Sequence, residues 1–228
     1  MDVFQLGLYI AAIVLVMWSQ SKVQGAYKHF STVRTENHLT GAAVARAILD
    51  RNGLGGVQVQ ISQNGLLSDH FDPRTNIVNL SPKVYNEDSI ASVAVAAHEV
   101  GHAIQFAENY SFIGIRNKLL PVAIVSGNLA WGVIIFGLLL RISPVLYIGI
   151  AMLGVIALFQ LVTLPVEFDA SGRALRILSS EGFITDDESA DAKAMLRAAA
   201  FTYVAALLAT LLQIFRLVLL SGRSNRRN

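Results

Sequence analysis

The chain has no cysteine among its 228 residues, which excludes disulfides and thiolate ligands and leaves His, Asp and Glu as the side chains able to hold a metal. Charge is scarce as well. Only 15% of residues are charged against 54% hydrophobic, a balance too apolar for an ordinary soluble domain and suited to a membrane protein with a modest polar portion. The formal net charge of +2 indicates no particular partner. There is no internal repeat, no low-complexity tract, no phosphate-cradling glycine loop and no basic-aromatic pattern, so nucleotide and nucleic-acid binding are not expected. One further absence matters later: no Asp, Glu or His lies between Glu108 and Glu167.

What is present is His98-Glu99-Val100-Gly101-His102, an H-E-x-x-H inside an apolar run. Four residues make slightly more than one helical turn, so both histidines project from one face and can grip a single zinc ion, with Glu99 beside them as a general base. Such a motif also arises by chance as two surface histidines and a solvated glutamate. Against that, Val93, Ala94, Val95, Ala96 and Ala97 predict a buried helix, where unpartnered polar groups cost several kcal/mol. Zinc is the economical partner.

Taken in order, residues 3–19 are uncharged and long enough to form a first transmembrane helix. The Met1-Asp2 start has no basic region, which argues against a cleaved signal peptide. Residues 22–39 read as a polar connector to Thr40, the N-cap of an amphipathic helix over 41–51 that turns Val44, Ala47 and Ile48 inward and stops at Asn52-Gly53. Val57, Val59 and Ile61 alternate with polar residues as in a half-buried strand, and Asn64-Gly65 follows as a turn. Residues 69–72 and 77–80 read as two strands around a Pro73 turn, placing a sheet edge near the motif helix for an extended substrate. His70 and Asn79 there are candidate substrate-binding residues, although packing or surface roles are the plainer readings.

Asp88 or Ser89 caps the motif helix, which is expected to reach about Glu108. Arg116 and Lys118 mark a membrane surface; residues 119–140 and 145–164 form a helical hairpin turned at 141–144. Residues 165–173 leave the membrane, Thr185 and Glu188 form a capping box, Asp186 and Asp187 favour the helix N-terminus, and residues 198–215 are apolar enough for a fourth span. Arg216, Arg223, Arg226 and Arg227 are expected at lipid head groups.

A catalytic zinc takes three protein ligands. The extended pattern that continues with Gly and His is absent, because those places are Gln105 and Glu108. Glu108 lies well over a turn beyond His102 on the same helix. Glu167 is the first acidic residue after the hairpin, and two spans return the chain to the side from which it left, so Glu167 is the favoured third ligand. Asp169 is the ligand itself or a partner that orients one.

His98-Glu99-Val100-Gly101-His102, Asp69-His70-Phe71-Asp72-Pro73-Arg74 and Pro165-Val166-Glu167-Phe168-Asp169-Ala170-Ser171, set among transmembrane helices, resemble the YugP-type membrane zinc metallopeptidases of bacteria. The resemblance covers nearly the whole chain. It implies a gluzincin-like core with Glu167 in the ligand position and a more distant similarity to HtpX and the CAAX prenyl proteases. Those relatives place an Asp four residues after the ligand Glu to orient a histidine, whereas this chain has Ser171 there, so Asp169 is a substitute for that role. Arg173 and His70 are candidates for stabilising the oxyanion, with a surface ion pair and a packing histidine as the plainer readings.

The expected fold is a mainly α membrane protein of about four transmembrane helices with a small α+β zincin-like catalytic region. Its expected divisions are a first helix at 1–19, the catalytic region at 20–118, the hairpin at 119–165, the third-ligand segment at 166–197, and the last helix with its basic tail at 198–228. The expected activity is hydrolysis of peptide bonds in membrane-associated or unfolded proteins, with one Zn2+ per chain, a protein or peptide substrate and the bilayer as partners. The rival is a non-enzymatic protein that binds the metal structurally or along a transport path; a structural site would want a fourth ligand and has no need of Glu99. The resemblance implies a bacterial inner membrane. Lys22, Lys28, Arg116, Lys118, Arg173 and Arg176 outweigh Arg141 and the arginine tail in favouring a cytoplasmic catalytic region.

Overall fold

The computed structural model describes residues 3–63, 65 and 68–224. Asn64, Met1, Asp2, Arg226 and Arg227, and the side chain of Arg223, lie outside the described residues. Two compact units are built from interleaved segments: residues 1–20, 114–164 and 202–228 form one, residues 21–113 and 165–201 the other.

The first unit is helical. Stretches of α1 (Val3–Phe30), α5 (Ser111–Leu139), α6 (Ser143–Ser180) and α7 (Asp186–Ser224) compose it, and all four helices are long and apolar enough to cross a membrane. Ile124, Val125, Leu129, Ile135 and Phe136 on α5 are exposed, as expected of side chains whose solvent is lipid. Inside, Ala130, Ile134, Leu146, Leu153 and Leu217 form a small core. The link between α5 and α6 places Arg141 at φ 57°, and a Cβ added to Gly137 would lie 2.7 Å from the Leu146 backbone nitrogen, so glycine lets the two helices close tightly. Arg216 stands over the Tyr9 ring, 5.0 Å from its centroid. That cation–π contact replaces part of the hydration which an arginine so placed gives up.

Three expected boundaries move. Helix α1 runs through Lys22 and Lys28 to Phe30, because polar residues 20–30 contain no proline and one glycine and therefore no stop signal. Helix α5 starts at Ser111, so Arg116 and Lys118 sit within it. Helix α6 continues past Pro165 to Ser180. Proline removes one backbone donor there, but Val166, Ala170, Ala174 and Leu178 recur every four residues and are all completely buried, so packing of this stripe offsets the lost bond.

The second unit contains the sheet. Helix α2 (Gly41–Arg51) is capped by Thr40, whose side chain accepts from the Ala43 N–H; Val44 and Ile48 are buried, Ala47 half-buried. Strands β1 (Gln58–Ile61), β2 (His70–Asp72) and β3 (Ile77–Leu80) pair in the order β1-β3-β2, parallel on one side of β3 and antiparallel on the other. The strand nearest in sequence to the motif helix is therefore the central one, and β2 is an edge strand. Ile61, on the opposite edge strand β1, is exposed rather than inward. Asp69 accepts from the Ser81 N–H at 2.6 Å and the Ser81 hydroxyl at 3.2 Å, fixing the entry of β2 to the exit of β3.

After the short α3 (Pro82–Asn86) comes α4 (Ile90–Ala107), with Ser89 as N-cap. Val93, Ala94, Ala96, Ala97, Val100 and Ala103 of α4 are buried against α2, the sheet, the later part of α6 and the start of α7. The capping box at the start of α7 is formed: the Thr185 N–H donates to Glu188 at 2.8 Å and the Glu188 N–H to the Thr185 hydroxyl at 3.4 Å.

Candidate metal centre

Helix α4 carries His98 and His102 one turn apart, their rings 4.7 Å between centroids at 82°. Helix α6 crosses it at the motif's glycine. A Cβ added to Gly101 would stand 2.8 Å from the Ala170 carbonyl oxygen and 3.2 Å from its Cα. Only glycine permits this approach, and Ala170 is three residues from Glu167. Replacing Gly101 with alanine should therefore destabilise the protein by about 1–3 kcal/mol through overpacking, although helix propensity alone favours alanine by roughly 1 kcal/mol. The sign of the change in thermal melting decides between the two effects.

The approach delivers Glu167, 3% exposed, to the histidine pair. Its Oε2 lies 3.3 Å from His98 Nε2 and 3.6 Å from His102 Nε2. That oxygen is buried and has no hydrogen-bond partner among the described residues. A carboxylate so placed is costly unless a cation joins it. Bonds of about 2.0–2.1 Å at tetrahedral angles put ligand atoms roughly 3.3 Å apart, close to the 3.3 and 3.6 Å that separate Glu167 Oε2 from the two imidazole nitrogens. His98, His102 and Glu167 form a three-residue donor cluster of the kind that holds a metal.

The groups around the cluster orient it. Ser171 Oγ is 3.1 Å from His98 Nδ1, so the serine itself occupies the position expected of an aspartate. Gln105 Oε1 is 3.0 Å from His102 Nδ1, and Gln105 Nε2 donates to the Val166 carbonyl and to Asp169 Oδ2, each at 2.8 Å. Asp169 thus reaches a histidine through Gln105. Arg173 donates to Asp169 from Nε and to Glu108 from a terminal nitrogen, each at 2.6 Å, so its guanidinium is committed to two carboxylates. Burial pushes the His102 imidazole down, but the Glu167 carboxylate and the charge of Glu99 outweigh it, leaving its proton affinity above the ordinary value. A metal arriving there displaces a proton.

Glu99 is buried outside the donor cluster, and its Oε2 accepts the Phe71 N–H at 3.1 Å. That peptide belongs to β2, so the β2 edge of the sheet faces the motif glutamate. The Phe71 and Phe106 rings, 6.0 Å apart, stand beside it. His70 and Asn79 pair with each other across β2 and β3, Asn79 Nδ2 being 3.3 Å from His70 Nε2, while His70 Nδ1 faces the Ser68 carbonyl at 2.8 Å. Neither is one of the three clustered donors. Sequence reasoning missed Gln105 and the Phe71 peptide. The signal for Gln105 was available: an uncharged polar residue one turn after His102, in a run otherwise buried, must find partners.

The chain is a mainly α membrane protein with a two-histidine, one-carboxylate cluster that could hold a metal ion, and the comparison with known families is specific. Residues 6–222 match the family described as "Putative neutral zinc metallopeptidase", and the chain belongs to that family. It is 43% identical over 218 residues to the "Putative membrane protease YugP" of Bacillus subtilis (strain 168), an alignment covering 95% of this chain and 96% of that protein. No solved structure matches the chain.

Proposed function

We propose that this chain is an integral-membrane zinc metalloendopeptidase in which His98, His102 and Glu167 hold one zinc ion and Glu99 is the general base. The observation that carries this reading is the buried Glu167 Oε2, without a hydrogen bond among the described residues, lying within 3.6 Å of two imidazole nitrogens. Zinc, when bound, supplies a Lewis acid for the scissile carbonyl and lowers the pKa of its water to about 7. Glu99, one residue from a ligand and outside the donor set, takes the proton of the attacking water and passes it to the departing amine. The Phe71 N–H fixes one Glu99 oxygen for that transfer. An extended peptide lies along β2, the edge nearest Glu99, which favours unfolded or locally unstructured protein segments.

Glu167 follows the last residue of the apolar stretch, Leu164, by three positions on one continuous helix. Membrane-associated proteins are accordingly the expected substrates, with the site on the cytoplasmic side by the balance of flanking lysines and arginines. Among the described residues the cluster has three donors, which suits a catalytic site with an open position better than a closed structural one. The test is metal removal. Chelation of the purified protein in detergent should stop cleavage of an unstructured protein, and one equivalent of zinc should restore it; cleavage that persists after complete removal would contradict the proposal.

A further inference from the structure

We propose that Gln105 fixes the tautomer of His102, holding a proton on Nδ1 and leaving Nε2 bare for the metal. This rests on the zinc reading for its use but not for its geometry. Gln105 is completely buried on α4 and makes three polar contacts. Two of these are with groups that only accept in this arrangement: the Val166 backbone carbonyl, and Asp169 Oδ2, which also accepts from Arg173 Nε at 2.6 Å. The amide end facing them must be NH2, because the flipped side chain would set its oxygen 2.8 Å from two other oxygens. The oxygen of Gln105 consequently faces His102 Nδ1. An amide oxygen cannot donate, so the hydrogen between them belongs to the imidazole.

The two histidines are not equivalent in this respect. His98 Nδ1 meets the Ser171 hydroxyl, which donates or accepts and so selects no tautomer. The same Gln105 amide binds the carbonyl of Val166, the residue before Glu167. One buried side chain thus sets the protonation of one ligand and anchors the backbone beside another. Gln105 is a positioning residue, acting through His102 and Val166.

The test uses the full chain in detergent micelles, labelled with nitrogen-15 at histidine. In the zinc-loaded wild type, and in the metal-free protein at alkaline pH, the His102 resonances should report the proton on Nδ1. A proton on Nε2 in either form would overturn the proposal. Gln105→Leu, which matches the volume but cannot accept, should bind zinc 10- to 100-fold more weakly in competition with a chromophoric chelator, and should lose the pure Nδ1–H signature. A folded Gln105→Leu protein with wild-type zinc affinity would equally overturn it. If that variant fails to fold, the wild-type tautomer measurement decides alone. A wild type that takes up no zinc would defeat the metal reading instead, and the alkaline metal-free spectrum would still decide the tautomer.

Discussion

Glu99→Gln should retain one zinc per chain and lose peptide-bond cleavage by roughly 10²- to 10⁴-fold, the range attributable to a positioned general base. Glutamine is nearly isosteric, and its amide oxygen can go on accepting the Phe71 N–H that now reaches Glu99 Oε2 at 3.1 Å. The link between β2 and α4 therefore survives. What disappears is a group able to hold a proton between its removal from water and its delivery to the amine. Zinc content, thermal melting and cleavage of an unstructured protein, measured together on variant and wild type, check this. Wild-type cleavage by the variant would remove Glu99 from the chemistry.

Glu167→Ala should lose zinc altogether or bind it too weakly to survive purification. The variant keeps His98 and His102 on their shared face, but two imidazoles offer one donor fewer than hydrolytic zinc sites use. The loss has a thermodynamic signature separate from activity. Zinc at about 100 times its dissociation constant stabilises a folded protein by roughly 2.7 kcal/mol, so added zinc should raise the melting temperature of the wild type and leave that of Glu167→Ala unmoved. A zinc-dependent shift of wild-type size in the variant would transfer the third-ligand role to another residue.

How far the site was readable depended on how local each contact was. The histidine pair and Glu99 lie within one helical turn, and their spacing alone puts them on one face of α4. Thr40, Ser89 and the Thr185–Glu188 box were legible for the same reason, since capping is settled within four residues. Glu167 is 65 positions from His102, and its favoured status came from counting spans and from resemblance; what seats it is Gly101 against Ala170, a contact between helices that no periodicity reveals. Polarity misled at helix ends. Residues 22–39 read as a polar connector and 165–173 as a segment leaving the membrane, yet residues 22–30 continue α1 and residues 165–173 continue α6, where the buried stripe of Val166, Ala170, Ala174 and Leu178 persists. The sheet was found but its order was not, because pairing β1 with β3 ahead of β2 is a tertiary choice. Ser171 in place of an expected aspartate looked like a defect, whereas its hydroxyl meets His98 directly.

The most direct test is zinc K-edge X-ray absorption on the purified, metal-loaded wild type. We predict a shell of nitrogen and oxygen neighbours at about 2.0–2.2 Å, outer-shell scattering from two imidazoles, and loss of bound zinc in the Glu167→Ala protein. Zinc surrounded by water and buffer ligands, with no imidazole scattering, would contradict the assignment of His98, His102 and Glu167 as its cage.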